Sequence, residues 1–268
     1  MILACACEPG SPERANEDWC GSAGGVAIVL DGATAPRDDR CSHSTPWYVN
    51  TLGLALLAAT ADPALSLPDV LAGAIEQVNG EHSDCGGSPA ATVAMLRVAD
   101  DRVEHLVLAD TTLVLDTADD GLAVVTDSRV DEVTECLGEP ETRRHRIGTA
   151  EHQAAVKAMS AAQQEWRNRE GGYWVAADDP TAAAHALTGT HARENVRRVA
   201  LMSDGAARLA DVFGETWPNV LALLDEQGPG SLIRRVREIE HSDPDGTRWP
   251  RFKSSDDAVC LYVRDLSC

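Results

Sequence analysis

The stretch Ala27-Ile28-Val29-Leu30-Asp31-Gly32 most constrains what this chain can fold into. Four apolar residues end on a carboxylate, and a glycine follows at once. A run this short and this apolar reads as a buried strand. The aspartate then stands where the strand leaves the sheet, and the glycine permits a tight turn or a close backbone approach. The same device recurs far downstream, at Val199-Ala200-Leu201-Met202-Ser203-Asp204-Gly205. Two such strand ends bring carboxylates from distant parts of the chain to one edge of a core. That suits a hard divalent cation, which takes oxygen ligands.

The chain has 268 residues, enough for one domain over 1–268 with a substantial core. Its formal net charge of −20 argues against nucleic acid as a partner. It also disfavours a polyanionic substrate unless metal ions offset the local charge. No apolar run reaches transmembrane length, and the amino terminus has neither the basic region nor the apolar length of a signal peptide. A cytoplasmic monomer without a membrane partner is therefore expected. Eight cysteines invite a disulfide or zinc reading, yet none forms a Cys-x-x-Cys pair. Reduced thiols in packing roles are expected. Cys41-Ser42-His43 is the one fragment with soft-metal character, and packing is its expected role.

In chain order, strands are expected at 2–7, 23–30, 91–98, 103–109, 112–115, 122–126, 196–203 and 257–263. Helices are expected at 47–59, 68–79, 151–168, 180–187, 215–226 and 230–240, several opened by proline in the first turn. The segment 33–40 reads as irregular, and Gly86-Gly87-Ser88-Pro89 as a break. Residues 128–150, with Arg143, Arg144, His145 and Arg146, read as a loop closing over a site. Gly171 to Val175 reads as a turn into a short strand, and Asp243-Pro244-Asp245-Gly246 as a turn. Trp166, Tyr173 and Trp174 are candidates for a substrate pocket, with core packing the competing reading. Strands and helices cluster without strict alternation, which indicates an α+β fold.

Asp18, Asp31, Asp110, Asp127, Asp204 and Asp256 each lie at or near the end of an apolar run. Aspartate is common in turns and caps, which accounts for any one of them. Asp31 and Asp204 stand apart, because each follows a wholly apolar strand and precedes glycine. Several carboxylates gathered near a core repel one another unless a cation neutralises them.

The ordered set Arg14, Asn16-Glu17-Asp18, Val29-Leu30-Asp31-Gly32, Ser88-Pro89-Ala90-Ala91-Thr92-Val93, Leu108-Ala109-Asp110-Thr111, Met202-Ser203-Asp204-Gly205 and Asp256-Asp257-Ala258-Val259 resembles the PPM family. These are the metal-dependent, type 2C serine/threonine phosphatases. The resemblance runs from about residue 3 to residue 264 and implies a four-layer α-β-β-α sandwich, two antiparallel sheets flanked by helices. It implies two Mg²⁺ or Mn²⁺ ions per chain, with room for a third. Asp31 would bridge the pair, the Gly32 carbonyl would add a ligand to one ion, and Asp204 and Asp256 would bind the other. Glu17 and Asp18 would act through metal-bound water, and Asp110 with Asp204 would hold the third ion. Two cations about 3.5–4 Å apart lower the pKa of a bridging water and clamp an in-line displacement at phosphorus.

Arg14 is the candidate phosphate clamp, although it stands four residues before Asp18 where the family often has five. Ala33-Thr34 replaces the histidine that often follows Asp-Gly, leaving His43 as a substitute acid for the leaving oxygen. Asp256-Asp257 replaces the usual Asp-Asn. The implied activity is hydrolysis of phosphoserine or phosphothreonine in a protein. A small phosphorylated metabolite is the alternative substrate, and a catalytically weak regulatory module the alternative role.

Overall fold

The computed structural model describes residues 1–33, 41–83, 85, 89–137 and 139–266. The irregular segment expected at 34–40, and Gly86, Gly87 and Ser88 of the expected break, lie outside the described residues. One antiparallel sheet contains β2 (Asp18–Ala23), β3 (Val26–Ala33), β4 (Ala90–Val98), β5 (Arg102–Leu108) and β8 (Leu187–Ala192), in that spatial order. The other places β1 (Ile2–Glu8) beside β10 (Ala258–Arg264), then β9 (Val196–Met202), β6 (Thr112–Thr117) and β7 (Gly121–Val125).

Side-chain alternation explains how the sheets stack. On β3, Ala27 and Val29 point into a layer shared with Leu113, Leu201, Val259 and Leu261 of the opposite sheet. Ile28 and Leu30 point the other way, against helices α1 (Thr45–Ala59) and α2 (Leu67–Glu81). On β9, Val199 and Leu201 face the inter-sheet layer. Ala200 and Met202 face α6 (Asp204–Asp211), α7 (Trp217–Gln227) and α8 (Pro229–Ser242). The result is an α-β-β-α sandwich. Its central strands are dry on both faces, so they read as unbroken apolar runs and not as alternating ones.

The flanking helices start where the sequence places their caps. The Ser44 hydroxyl accepts from the Trp47 N–H, with Pro46 in the first turn, and Ser66 does the same for Asp69. Val49, Leu52 and Leu56 form the buried stripe of α1.

Several elements differ from the sequence expectation. Residues 128–150 are largely helical: α3 (Arg129–Leu137), α4 (Glu139–Thr142) and the start of α5 (Ala150–Gln164). Val130 and Val133, one turn apart, pack with Ala109, Tyr173 and Val175, so a short apolar stripe overrides the polar composition. Gly171 to Val175 forms no strand, only an isolated bridge from Tyr173 to Arg167. Tyr173 and Trp174 are buried, as core packing requires. The helix expected at 180–187 is a 3₁₀ turn over Pro180–His185. The unanticipated β2 and β8 are edge strands of small and polar residues, paired on one side only, where the hydrophobic pattern is weakest.

Leu52 is fully buried in α1, whereas Leu54, two residues on, is exposed. Leu52→Ala is expected to lower unfolding stability by about 2–5 kcal/mol. Leu54→Ala should stay within roughly 0.5 kcal/mol of the wild type. Urea denaturation of the two variants checks this.

Candidate metal centre

β2 and β3 form a hairpin through Gly24 and Gly25, both with positive φ, as a two-residue turn of matching twist requires. That turn sets the register, and the register places Asp18 directly opposite Asp31. Asp31 shares the parity of Ala27 and Val29, so it faces the other sheet at the end of the inter-sheet layer. β9 ends at Met202 beside the start of β10, which puts Asp204 and Asp256-Asp257 at the same end. Asp110 follows the last residue of β5.

These carboxylates converge. The charges of Asp18, Asp204, Asp110 and Asp256 all bear on Asp31, after desolvation, and drive its pKa well above the ordinary value. Asp204 comes close enough to Asp31 for their carboxyls to share a hydrogen bond. Desolvation, then Asp256, raises the pKa of Asp204. Asp110 is pushed up to about 7 by desolvation and then by Asp204 and Asp131. Asp18 is buried at 7% exposure, and neither carboxylate oxygen accepts a well-formed hydrogen bond. The nearby Ser203 hydroxyl offsets only part of that cost. A buried carboxylate so poorly served by donors, among four other carboxylates, is a donor set made for a hard cation.

The second Asp-Gly pair works by close approach. A Cβ on Gly205 would stand 1.9 Å from the Asp257 carbonyl oxygen, so only glycine lets the start of α6 meet the strand entering β10. Asp257 accepts from the backbone N–H groups of Gly10 and Glu17, each at 2.7 Å, and thereby ties the Glu17-Asp18 corner to the Asp256-Asp257 corner. The Gly32 N–H donates to the Glu17 carbonyl at 3.0 Å. Ala109 holds φ +66 immediately before Asp110. An alanine there costs about 1–2 kcal/mol, backbone strain stored next to a ligand-type residue.

Other residues of the centre carry no motif. Buried Arg208, from α6, donates to Glu240 at 2.7 Å and to Asp256 at 3.1 Å. Arg237 donates to Glu240 at 2.8 Å, and Lys253 to Asp256 at 2.6 Å. Arg208 stands four residues after Asp204, hence on the same helix face, and that spacing is the one sequence signal of its role.

Three expected candidates lie elsewhere or apart. Asp127 is buried but engaged side-on by Arg129, whose guanidinium also reaches the His185 carbonyl. His43 stacks on Trp47 at 4.0 Å, with its Nδ1 3.6 Å from the sulfurs of Cys41 and Cys85. Arg14 is exposed on the turn before β2, where its N–H donates to the Ser11 carbonyl.

No family model and no curated relative matches the sequence. Solved structures do. The serine/threonine phosphatase Stp1 from Staphylococcus aureus covers 98% of this chain and 94% of its own, at TM-score 0.60 and 11% identity. The PPM Ser-Thr phosphatase MsPP from Mycobacterium smegmatis, in complex with cacodylate, covers 98% of each chain at TM-score 0.57 and 16% identity. This chain has the PPM phosphatase fold. The catalytic domain of the serine threonine protein phosphatase PstP, in complex with two manganese ions, aligns at TM-score 0.50, with 14% identity over 97% of this chain and 96% of its own. Identities this low carry the architecture of the PPM fold and leave the chemistry to the residues.

The raised pKa of Asp110 gives a signed expectation. The folded state holds this proton between pH 3.8 and about 7, where the unfolded state has released it. Its contribution to stability is therefore present at acid pH and lost as pH rises through about 7. Asp110→Asn removes the dependence. In chelator, its stability relative to the wild type should improve by on the order of 2 kcal/mol between pH 5 and pH 8. Paired urea titrations at the two pH values measure it.

Proposed function

We propose that this chain is a metal-dependent phosphomonoester hydrolase, acting on phosphoserine or phosphothreonine in proteins. The observation that carries the reading is buried Asp18, poorly served by donors, facing Asp31, Asp204, Asp256 and Asp110 at one end of a PPM sandwich. The donor set fits two Mg²⁺ or Mn²⁺ ions, and the PstP domain of like fold was solved with two manganese ions. Asp31, the Gly32 carbonyl, Asp204 and Asp256 would hold the pair, with Asp31 as the candidate shared ligand. Glu17 and Asp18 support it from the outer sphere, and Asp110 with Asp204 offers a place for a third ion. Divalent cations in such a centre supply a strong nucleophile at neutral pH and offset charge at phosphorus.

The protein's own residues then have separable tasks. The bonds from Gly10 and Glu17 to Asp257 fix the backbone that carries Asp18. Arg208 and Lys253 hold the Asp256 carboxylate from two sides, so that its orientation survives loss of metal. Arg14, exposed on the loop leading to Glu17, is the candidate clamp for a phosphate oxygen. His43 is given no part in the transfer, because its ring nitrogen is taken up beside two thiols.

Activity on an aryl phosphate should require Mn²⁺ or Mg²⁺ and vanish in chelator. Asp31→Ala and Asp204→Ala should each cost at least about 100-fold in kcat/KM. Survival of activity in both variants would sink the proposal. Arg14→Ala should raise KM with kcat largely kept. Phosphopeptides assayed beside phosphorylated metabolites decide the substrate class, and preference for the metabolites would overturn the protein assignment.

A further inference from the structure

A second cluster of metal-type donors, none of them a carboxylate, lies at the ends of the α1–α2 pair. Cys41 and His43 precede α1, and His82 and Cys85 follow α2. Ligand atoms of Cys41, His82 and Cys85 all lie within 4.8 Å of one another. The His43 Nδ1 is 3.6 Å from both sulfurs. A tetrahedral zinc, with Zn–S of about 2.3 Å and Zn–N of about 2.0 Å, separates neighbouring ligands by roughly 3.3–3.8 Å. The His43-to-sulfur distances fall within that spacing, and those among Cys41, His82 and Cys85 approach it.

His82 supplies the independent observation. Its side chain is 7% exposed, and its buried Nε2 has no hydrogen-bond partner. An orphaned imidazole nitrogen beside two thiols costs free energy unless something accepts its lone pair. We propose that Cys41, His43, His82 and Cys85 form a structural zinc site, distinct from the carboxylate centre, that clips the start of α1 to the end of α2.

The surroundings favour the thiolate form that zinc needs. The His43 N–H donates to the Cys41 sulfur at 3.4 Å, and the Ser42 hydroxyl lies 3.8 Å from the Cys85 sulfur. A backbone bond from Ser42, then bonds from Cys41 and His43, bring the Cys85 pKa down to about 7. Trp47 covers both imidazoles, stacked on His43 at 4.0 Å and edge-on to His82 at 5.8 Å. Two sulfurs and two nitrogens select a borderline-soft ion, whereas the carboxylates select hard ones, so the two sites sort their metals by chemistry. The sequence shows only two short pairs, Cys-x-His and His-x-x-Cys, separated by an entire helical pair. Neither alone matches a zinc module.

Cobalt reports the ligands directly. The full chain, purified under reducing conditions and stripped of metal, is titrated with Co²⁺. The expected result is a thiolate-to-cobalt charge-transfer band with tetrahedral ligand-field bands, saturating at one equivalent and bleached by Zn²⁺. Oxygen ligation at the carboxylate centre gives no such band, so its occupancy does not interfere. Cys41→Ser and Cys85→Ser should each abolish the charge-transfer band with the far-ultraviolet circular dichroism kept. His82→Ala should shift the ligand-field bands and weaken affinity at least 10-fold. A wild type without thiolate charge transfer overturns the site, and that result stands whether or not the variants fold. So does a band indifferent to Cys41→Ser and Cys85→Ser, or recovery of Cys41 and Cys85 as a disulfide.

Discussion

Carboxylates brought together at one end of a sandwich repel one another, and everything around them is arranged to hold them there regardless. The hairpin register sets Asp18 against Asp31. The close contact at Gly205 presses Asp204 towards Asp257, and Asp257 anchors the Glu17 backbone in turn. None of these contacts relieves the repulsion. The free energy that tolerates it comes from three apolar layers, one between the sheets and one on each outer face. The raised pKa values of Asp18, Asp31, Asp110 and Asp204 express the same conflict. Without a cation, the chain keeps these groups together only by making their charged forms harder to reach.

The fold was legible where burial was two-sided. β3, β4 and β9 have helices over one face and a sheet over the other, so each carries an unbroken apolar run, Val26 to Leu30, Val93 to Leu96 and Val199 to Met202. The edge strands β2 and β8 were not legible, because one-sided pairing lets them do without the apolar run that the other two edges, β1 and β7, keep. Residues 128–150 misled for a related reason: composition averages over a segment, while α3 packs through a few side chains, Val130, Val133 and buried Thr134.

For the centre, Asp31 and Asp204 stood out by local chemistry alone, a carboxylate and a glycine closing an apolar strand. Asp18, Asp110 and Asp256 took on meaning only as members of an ordered set. The pairing of Arg208 with Glu240 and Asp256 could not be read, because it depends on the distance between elements and not on neighbours in sequence. The same limit hid His82. In sequence it ends a helix beside an ordinary turn, and only the packing of α1 on α2 brings it to Cys41.

The two donor clusters are joined through the chain itself. β3 delivers Asp31 and then leads, ten residues later in sequence, to Cys41. Cys85 leads in the other direction to β4, whose Thr92 pairs with Asp31 in the sheet. Both connections that flank Asp31 therefore end on the thiol and imidazole cluster. The proposed clip would restrain the chain on either side of Asp31, the residue proposed to bridge the other pair of ions. It would do so by closing a loop around the two helices α1 and α2. The proposed hard-ion centre and the proposed soft-ion clip are compatible in one domain because oxygen donors and thiolate-imidazole donors favour different metals.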